Sequence, residues 1–246
     1  MLIRMLTYNI HKGFAAGNLR FMLHQMREQL RGANVDLAFL QEIQGRNTRK
    51  EQRIKGWPLE SQFEFLADEL WPHYAYGKNA IYDHGHHGNA ILSKYPFARW
   101  DNINVSHMRK ASRSLLHGVV TIEGQRLHLV CIHLDLFTHH RQRQMGILSR
   151  HIADHVPMDE PLIVAGDFND WTGDAERHLS NDLKLTEVFQ ETCGRYARTF
   201  PALFPLLPVD RVYYRGLEPV ECECLTHKPW RNLSDHTPLL AVFRMK

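Results

Sequence analysis

Pro161-Leu-Ile-Val-Ala-Gly-Asp-Phe-Asn-Asp170 is the stretch on which the reading of this chain turns. The apolar run from Leu162 to Ala165 has the length and composition of a fully buried strand. Gly166 ends the run, and Asp167 and Asn169 follow two residues apart. Polar groups just past the carboxyl end of a strand line the crevice in which open α/β sheets bind ligands. A carboxylate and an amide placed there suit orienting a water and holding a phosphoryl or carbonyl oxygen. The same pair also suits an Asx-turn that merely caps the next helix.

Other strand boundaries repeat the pattern and tip the balance toward a site. Leu6-Thr-Tyr-Asn-Ile-His11 closes the first apolar run with Asn9 and His11, and Val35-Asp-Leu-Ala-Phe-Leu-Gln-Glu42 ends on Gln41 and Glu42. Leu127-His-Leu-Val-Cys-Ile-His133 ends on His133, and Leu206-Leu-Pro-Val-Asp-Arg-Val-Tyr213 carries Asp210 inside an apolar run. Asn232-Leu-Ser-Asp-His-Thr-Pro238 sets Asp235 and His236 before a final strand.

The chain has 246 residues, enough for one large core, and a single domain over 1–246 is expected rather than two. No apolar run approaches the roughly 20 residues that span a bilayer. Met1-Leu-Ile-Arg-Met-Leu reads as a strand rather than a signal peptide, so a cytoplasmic address is expected. Cys131, Cys193, Cys222 and Cys224 lack zinc or redox spacing and read as reduced thiols. The net charge of +3 neither demands nor opposes a nucleic-acid partner. Most of the 17 histidines, including His73, His107, His117, His128 and His178, read as structural or solvent-facing.

In chain order, Asn18 can cap a helix whose stripe is Leu19, Met22, Leu23, Met26 and Leu30, with Gly32 as its stop. Residues 44–58 lack an apolar period and read as a loop. A helix is expected over 60–70, with Ser61 and Glu64 at capping-box spacing. Short strands at 90–93, 100–105, 115–122 and 127–133, the last two joined by Glu123-Gly-Gln125, read as an antiparallel edge region. Helix returns over 139–155 and near 174–183, and two or three strands close the chain. This order suggests two packed mixed sheets covered by helices, with βα halves of similar plan.

Glu42 and Asp235 are candidate ligands for a hard cation, with Asn9 as a neutral oxygen donor. Magnesium suits so sparse a set, whereas zinc would want a tighter His/Cys shell. His236 and His133 suit proton transfer or charge stabilisation, and Asp235 and Asp210 are candidate partners for His236. A Ser234-Asp235-His236 triad is disfavoured, because neighbours on an extended segment point different ways.

Asn9 in Thr-Tyr-Asn-Ile-His, Glu42 in Leu-Gln-Glu, His133 in Ile-His-Leu, Asp167 and Asn169 in Gly-Asp-Phe-Asn, Asp210 in Val-Asp-Arg-Val and Asp235-His236 in Ser-Asp-His stand in a telling order. It resembles that of the endonuclease/exonuclease/phosphatase superfamily, which includes pancreatic deoxyribonuclease, abasic-site endonucleases, neutral sphingomyelinases and inositol polyphosphate 5-phosphatases. The resemblance spans essentially the whole chain and looks closest to small bacterial members. It implies a deoxyribonuclease I-like fold: a four-layer α/β/β/α sandwich of two mixed β-sheets flanked by helices. It also implies Mg²⁺-dependent phosphoester hydrolysis, with Mn²⁺ as an alternative cation. By position, Glu42 would bind the metal, with Asn9 and Asp235 in or beside its shell. Asp167 would orient or deprotonate the attacking water, Asn169 would hold the phosphate, and His236, steered by Asp235 or Asp210, would stabilise the transition state or act as base. His133 stands where abasic-site enzymes have tyrosine, which fits the deoxyribonuclease and sphingomyelinase branches better.

The substrate reading is divided. Arg46-Asn-Thr-Arg-Lys-Glu-Gln-Arg-Ile-Lys55 is basic and could follow a nucleic-acid backbone, or be a solvated loop. Arg109, Lys110 and Arg113 could extend that surface. Arg113, just before a strand, is the better phosphate candidate, and Asn89 is a second candidate for substrate contact. Phe200-Pro-Ala-Leu-Phe-Pro-Leu-Leu-Pro208 reads as buried packing, and if exposed it would suit a phospholipid or a membrane surface. Asp83-His-Gly-His-His-Gly88 reads as a flexible turn rather than a soft-metal site, and Trp171 could stack on a base or support the site. The expected activity is a phosphodiesterase; a phosphomonoesterase and a silent nucleic-acid or protein-binding module are the alternatives. Retention of Asp167, Asn169, Asp235 and His236 argues against the silent module. The sequence specifies no oligomeric state.

Overall fold

A computed structural model describes residues 1–18, 20–106 and 113–245. Leu19, His107, Arg109 and Lys110 lie outside the described residues.

Buried β-branched and aliphatic runs build two six-stranded sheets. The first contains β1 (Leu2–Asn9), β2 (Leu37–Asn47), β3 (His73–Tyr82), β4 (Gly85–Ser93), β11 (Leu217–Cys224) and β12 (Leu239–Met245), in the order β11-β12-β1-β2-β4-β3. The second contains β5 (Phe97–Asn104), β6 (Ser114–Ile122), β7 (Gln125–His133), β8 (Leu162–Asp167), β9 (Thr186–Glu187) and β10 (Asp210–Arg215), in the order β5-β6-β7-β8-β10-β9. Each sheet has one parallel pair near its middle, β1–β2 and β7–β8, among antiparallel neighbours. This is the repeated plan expected of the two halves.

Alternate residues of the two sheets meet face to face: Ile3, Met5, Phe39 and Phe243 from the first pack with Leu116, Leu129, Ile163 and Val212 from the second. The outer face of the first sheet is covered by α1 (Leu23–Ala33) and α3 (Gln62–Ala67), through Leu23, Met26, Leu30, Phe65 and Leu66. The outer face of the second is covered by α4 (Thr138–His155) and α5 (Asp174–Leu183), through Met145, Leu148, Ile152 and Leu179. The result is the expected four-layer α/β/β/α sandwich.

Three local expectations need correction. The first helix starts only after Met22, because an isolated bridge between Phe14 and Phe21 holds the preceding chain; it ends at left-handed Asn34 (φ 45°), not at Gly32. Residues 44–58 are not a plain loop: β2 continues to Asn47, whose side chain accepts from Lys50 N and caps α2 (Thr48–Arg53). The 83–88 stretch turns only at Asp83 and His84, and Gly85 to Gly88 belong to β4. By contrast, the Ser61–Glu64 capping box forms as the spacing predicts.

The apolar segment 200–208 is not buried packing either. Leu203 is 63% exposed and Phe204 71%, while Leu206 and Leu207 are also exposed. Pro201, Pro205 and Pro208 lack the N–H groups that would draw the run into a sheet. It forms instead a loop between α6 (Val188–Cys193) and β10, closed by a bridge between Phe200 and Leu207.

Candidate active site

The carboxyl ends of both parallel pairs lie at one edge of the sandwich, and every polar cluster noted at a strand end converges there. Register explains why. Asn9 pairs with Gln41 across β1–β2, His133 pairs with Asp167 across β7–β8, and Asp210 at the start of β10 pairs with Asp167 from the other side. Asp235 and His236 arrive on the segment entering β12, where Ser234 Oγ donates to Asn9 O at 2.8 Å.

Gly166 allows the closest of these approaches. It has φ 146°, and a Cβ there would lie 2.0 Å from the Ile132 carbonyl oxygen. Phe168 is driven into the core beneath, so Asp167 and Asn169 are held above it. The Asx-turn forms, but it does not cap the next helix. Asp167 Oδ1 accepts from Asn169 N at 3.0 Å, an Asx-turn, while Oδ2 accepts from Asn9 Nδ2 at 3.1 Å and faces His133 Nε2 at 3.4 Å and His236 Nε2 at 3.9 Å. The helix-capping role falls to Asp170, whose carboxylate accepts from Ala175 N.

His236 Nδ1 lies 2.9 Å from Asp210 Oδ2, so of its two candidate partners Asp210 is the one that holds the ring. Burial alone would keep this imidazole neutral; Asp210, then Asp167 and Asp235, outweigh it and raise the pKa to about 10. Burial also raises Asp167, to about 7, with the His236 charge opposing and Asp210 adding to the rise. His133 is pushed well below the usual range by burial and by the positive charge of Arg113 and His236.

Across the pocket lie Glu42 and Asp235. Glu42 occupies a bulge in β2 with a left-handed φ of 56°, which turns its side chain out of the pleat and toward the pocket. Lys12 Nζ contacts Glu42 Oε2 at 2.8 Å, and His11 Nδ1 lies 3.1 Å from Asp235 Oδ2 and 4.0 Å from Glu42 Oε2. Although burial opposes it, Lys12 keeps Glu42 below the ordinary carboxylate range, and a hydrogen bond from His11 does the same for Asp235. His11 stood in the sequence beside Asn9 without a role, and Lys12 gave no signal beyond that adjacency.

The pocket between these walls has a volume of about 230 Å³, and its lining includes Asn9, Glu42, Arg113, Asp167, Asn169 and His236. His133, Asp235 and Trp171 also line it, along with Phe200 and Leu207 of the apolar 200–208 segment and with Leu136 and Val209, to which the sequence gave no role. Asn89 is outside this lining: it is buried on β4 and donates to Ser114 O at 3.1 Å. Among the described residues, two sets could hold a cation. Asp167, Asp210 and His236 offer atoms within 4.8 Å of one another. In that set Asp210 engages His236 Nδ1, so the ring offers only Nε2 to an ion. Glu42 and Asp235, with the amide of Asn9 beside them, are ionised oxygen donors open to the pocket and match the preferences of magnesium.

Residues 6–236 match the Endonuclease/Exonuclease/phosphatase family. The chain is 42% identical over 244 residues to the uncharacterized protein YbhP of Escherichia coli K12, covering 98% of this chain and 96% of that one. Its fold is similar to the crystal structure of an endonuclease/exonuclease/phosphatase from Bacteroides vulgatus, with TM-score 0.78, 18% identity and 100% of both chains covered. It is also similar to D. rerio TDP2 complexed with a single-strand DNA product, with TM-score 0.75, 19% identity and 99% of both chains covered.

Proposed function

Since the chain belongs to the endonuclease/exonuclease/phosphatase family, whose members act on phosphoester bonds, we propose that it is a Mg²⁺-dependent phosphodiester hydrolase. The observation that carries this reading is the surroundings of Asp167 Oδ2. One buried carboxylate oxygen faces Asn9, His133 and His236, in a pocket that two ionised carboxylates also line.

Each residue has a role its environment supports. Glu42 and Asp235, with Asn9 beside them, would hold the cation, which would neutralise charge on the phosphoryl oxygens and polarise the ester. Binding it requires Lys12 and His11 to give up the carboxylates they contact. Asp167 is the base: a carboxyl raised to about 7 is matched to taking a proton from water near neutral pH. His236, charged and fixed by Asp210, is suited to donating toward the equatorial oxygens rather than to acting as base. His133 stays neutral and orients Asp167 or the water. Asn169 Nδ2 gives one hydrogen to Leu134 O at 3.0 Å, which leaves its second for a phosphate oxygen. Arg113, in the lining, adds positive charge.

No helix among the described residues is long and apolar enough to cross a membrane. A reducing, cytoplasmic setting is the reading we attach to the four free thiols. The test is turnover of bis(4-nitrophenyl) phosphate with Mg²⁺. Asp167→Asn and His236→Ala should each lose about 10²–10⁴-fold with unaltered circular dichroism. Turnover at the wild-type rate in either variant would sink the assignment.

A further inference from the structure

Two apolar lips flank the pocket mouth. The first is Leu136–Phe137, between β7 and α4, with exposures of 57% and 70%. The second is the 200–208 loop, where Leu203, Phe204, Leu206 and Leu207 face out. Leu136 and Leu207 also line the pocket, so the apolar surface runs unbroken from each lip down to the site. The second lip is pinned there: Ala202 N donates to Asp235 O at 2.7 Å.

Most N–H groups of the second lip are already satisfied within the protein. Phe200, Ala202, Phe204, Leu206 and Leu207 all donate their N–H to backbone oxygens, and Pro201, Pro205 and Pro208 have none to donate. In an apolar medium an unpaired backbone group is costly, and on the N–H side Leu203 alone of residues 200–208 stands outside this set. Neither lip contains an acidic residue. Beside Leu203 lies a groove of about 560 Å³ that includes Arg20 and Arg231, with Glu28 its one carboxylate. Arg231 Nε is buried and has no hydrogen-bond partner among the described residues. Aliphatic tips for the acyl region, arginines for anionic headgroups and a phosphoester pocket between them match a single kind of partner.

We infer that the two lips dock the protein on an anionic phospholipid surface, with the pocket mouth facing the headgroup phosphates. The choice of partner rests on the phosphoester reading. Leu136, Phe200 and Leu207 line the pocket beside its ionised groups, so the part of a substrate beyond the phosphoryl group meets leucine and phenylalanine.

The experiment is vesicle flotation of the full chain with Mg²⁺, using phosphatidylcholine vesicles with and without phosphatidylglycerol. Wild type should float, and more so with phosphatidylglycerol. Phe137→Ser/Phe204→Ser should lose about ten-fold or more of this partition. Its hydrolysis of bis(4-nitrophenyl) phosphate should stay within about two-fold, since neither ring lines the pocket. The single variants should fall between, which guards against misfolding of the double one. Wild type that stays in the bottom fraction would overturn the inference, as would a double variant that floats equally well. So would a dimer in sedimentation that the variant abolishes, or single-stranded DNA binding that the variant alone loses. Flotation requires no turnover. A protein that floats but cleaves no phosphodiester therefore counts against the proposed function alone, and one that cleaves but does not float counts against the lips alone.

Discussion

The two walls of the pocket are built in opposite ways. On one wall, Asp167 from the end of β8 and His236 from the segment entering β12 have side chains only 2% and 8% exposed, and the groups are held by neutral and charged hydrogen bonds in a dry setting. On the other wall, Glu42 and Asp235 are 19% and 21% exposed and are met by the Lys12 ammonium and the His11 imidazole. Proton chemistry benefits from the first arrangement, since burial shifts pKa values and fixes geometry before reaction. Reversible cation binding benefits from the second, since ligands that stay ionised and reachable can exchange one positive partner for another. One fold edge thus carries a preset wall and an exchangeable one.

The largest effect should come from loosening the preset wall. Asp210→Asn should lower kcat by about 10²–10³-fold. It should also move the alkaline limb of the pH profile. His236 loses its proton as pH rises through about 10, and Asp210 is the main cause that raises it, so the limb should shift toward neutrality. An alkaline limb that stays in place would show that Asp210 does not hold the charge.

Glu42→Gln strikes the exchangeable wall, and its effect should be milder and of a different kind. The Mg²⁺ concentration for half-maximal rate should rise about 10–100-fold, and much of kcat should return at saturation. Loss of kcat with unchanged Mg²⁺ dependence would reverse the assignment of the two walls. Lys12→Met should act in the other direction: by freeing Glu42 it should tighten Mg²⁺ binding several-fold and enlarge the rise in Tm on adding Mg²⁺. Stability without metal should change by no more than about 1 kcal/mol, the scale of a partly exposed ion pair.

The smallest effect is on folding. Asp167 is raised from 3.8 to about 7 in the folded chain, so its ionisation penalises the fold as pH climbs through that window. The penalty is absent below about pH 4 and complete above about pH 7. Asp167→Asn should therefore raise Tm at pH 8 by several degrees, at about 2–4 °C per kcal/mol, and leave it unchanged at pH 4. An equal shift at both pH values would trace the effect to packing rather than charge.

Much of the preset wall was legible in sequence because strand ends are legible. Leu162–Ala165 had to be buried, so Asp167 and Asn169 had to stand at an edge, and the same logic located His133 and Asn9. Which carboxylate would hold His236 was not legible, because it depends on the β8–β10 register that brings Asp210 beside Asp167. The other wall was harder. Glu42 was visible, but its bulge was not, nor the role of Lys12, whose partner lies 30 positions away. The 200–208 loop misled because composition reports hydrophobicity, whereas its three prolines decided whether a sheet could take it in.

The left-handed backbone at Glu42 has one more implication. A non-glycine residue there stores about 1–3 kcal/mol of torsional strain. Glycine or asparagine would relax it, just as asparagine at 167 would relieve a buried charge. Selection for stability alone should therefore favour those residues, at the cost of two carboxylates that face the pocket.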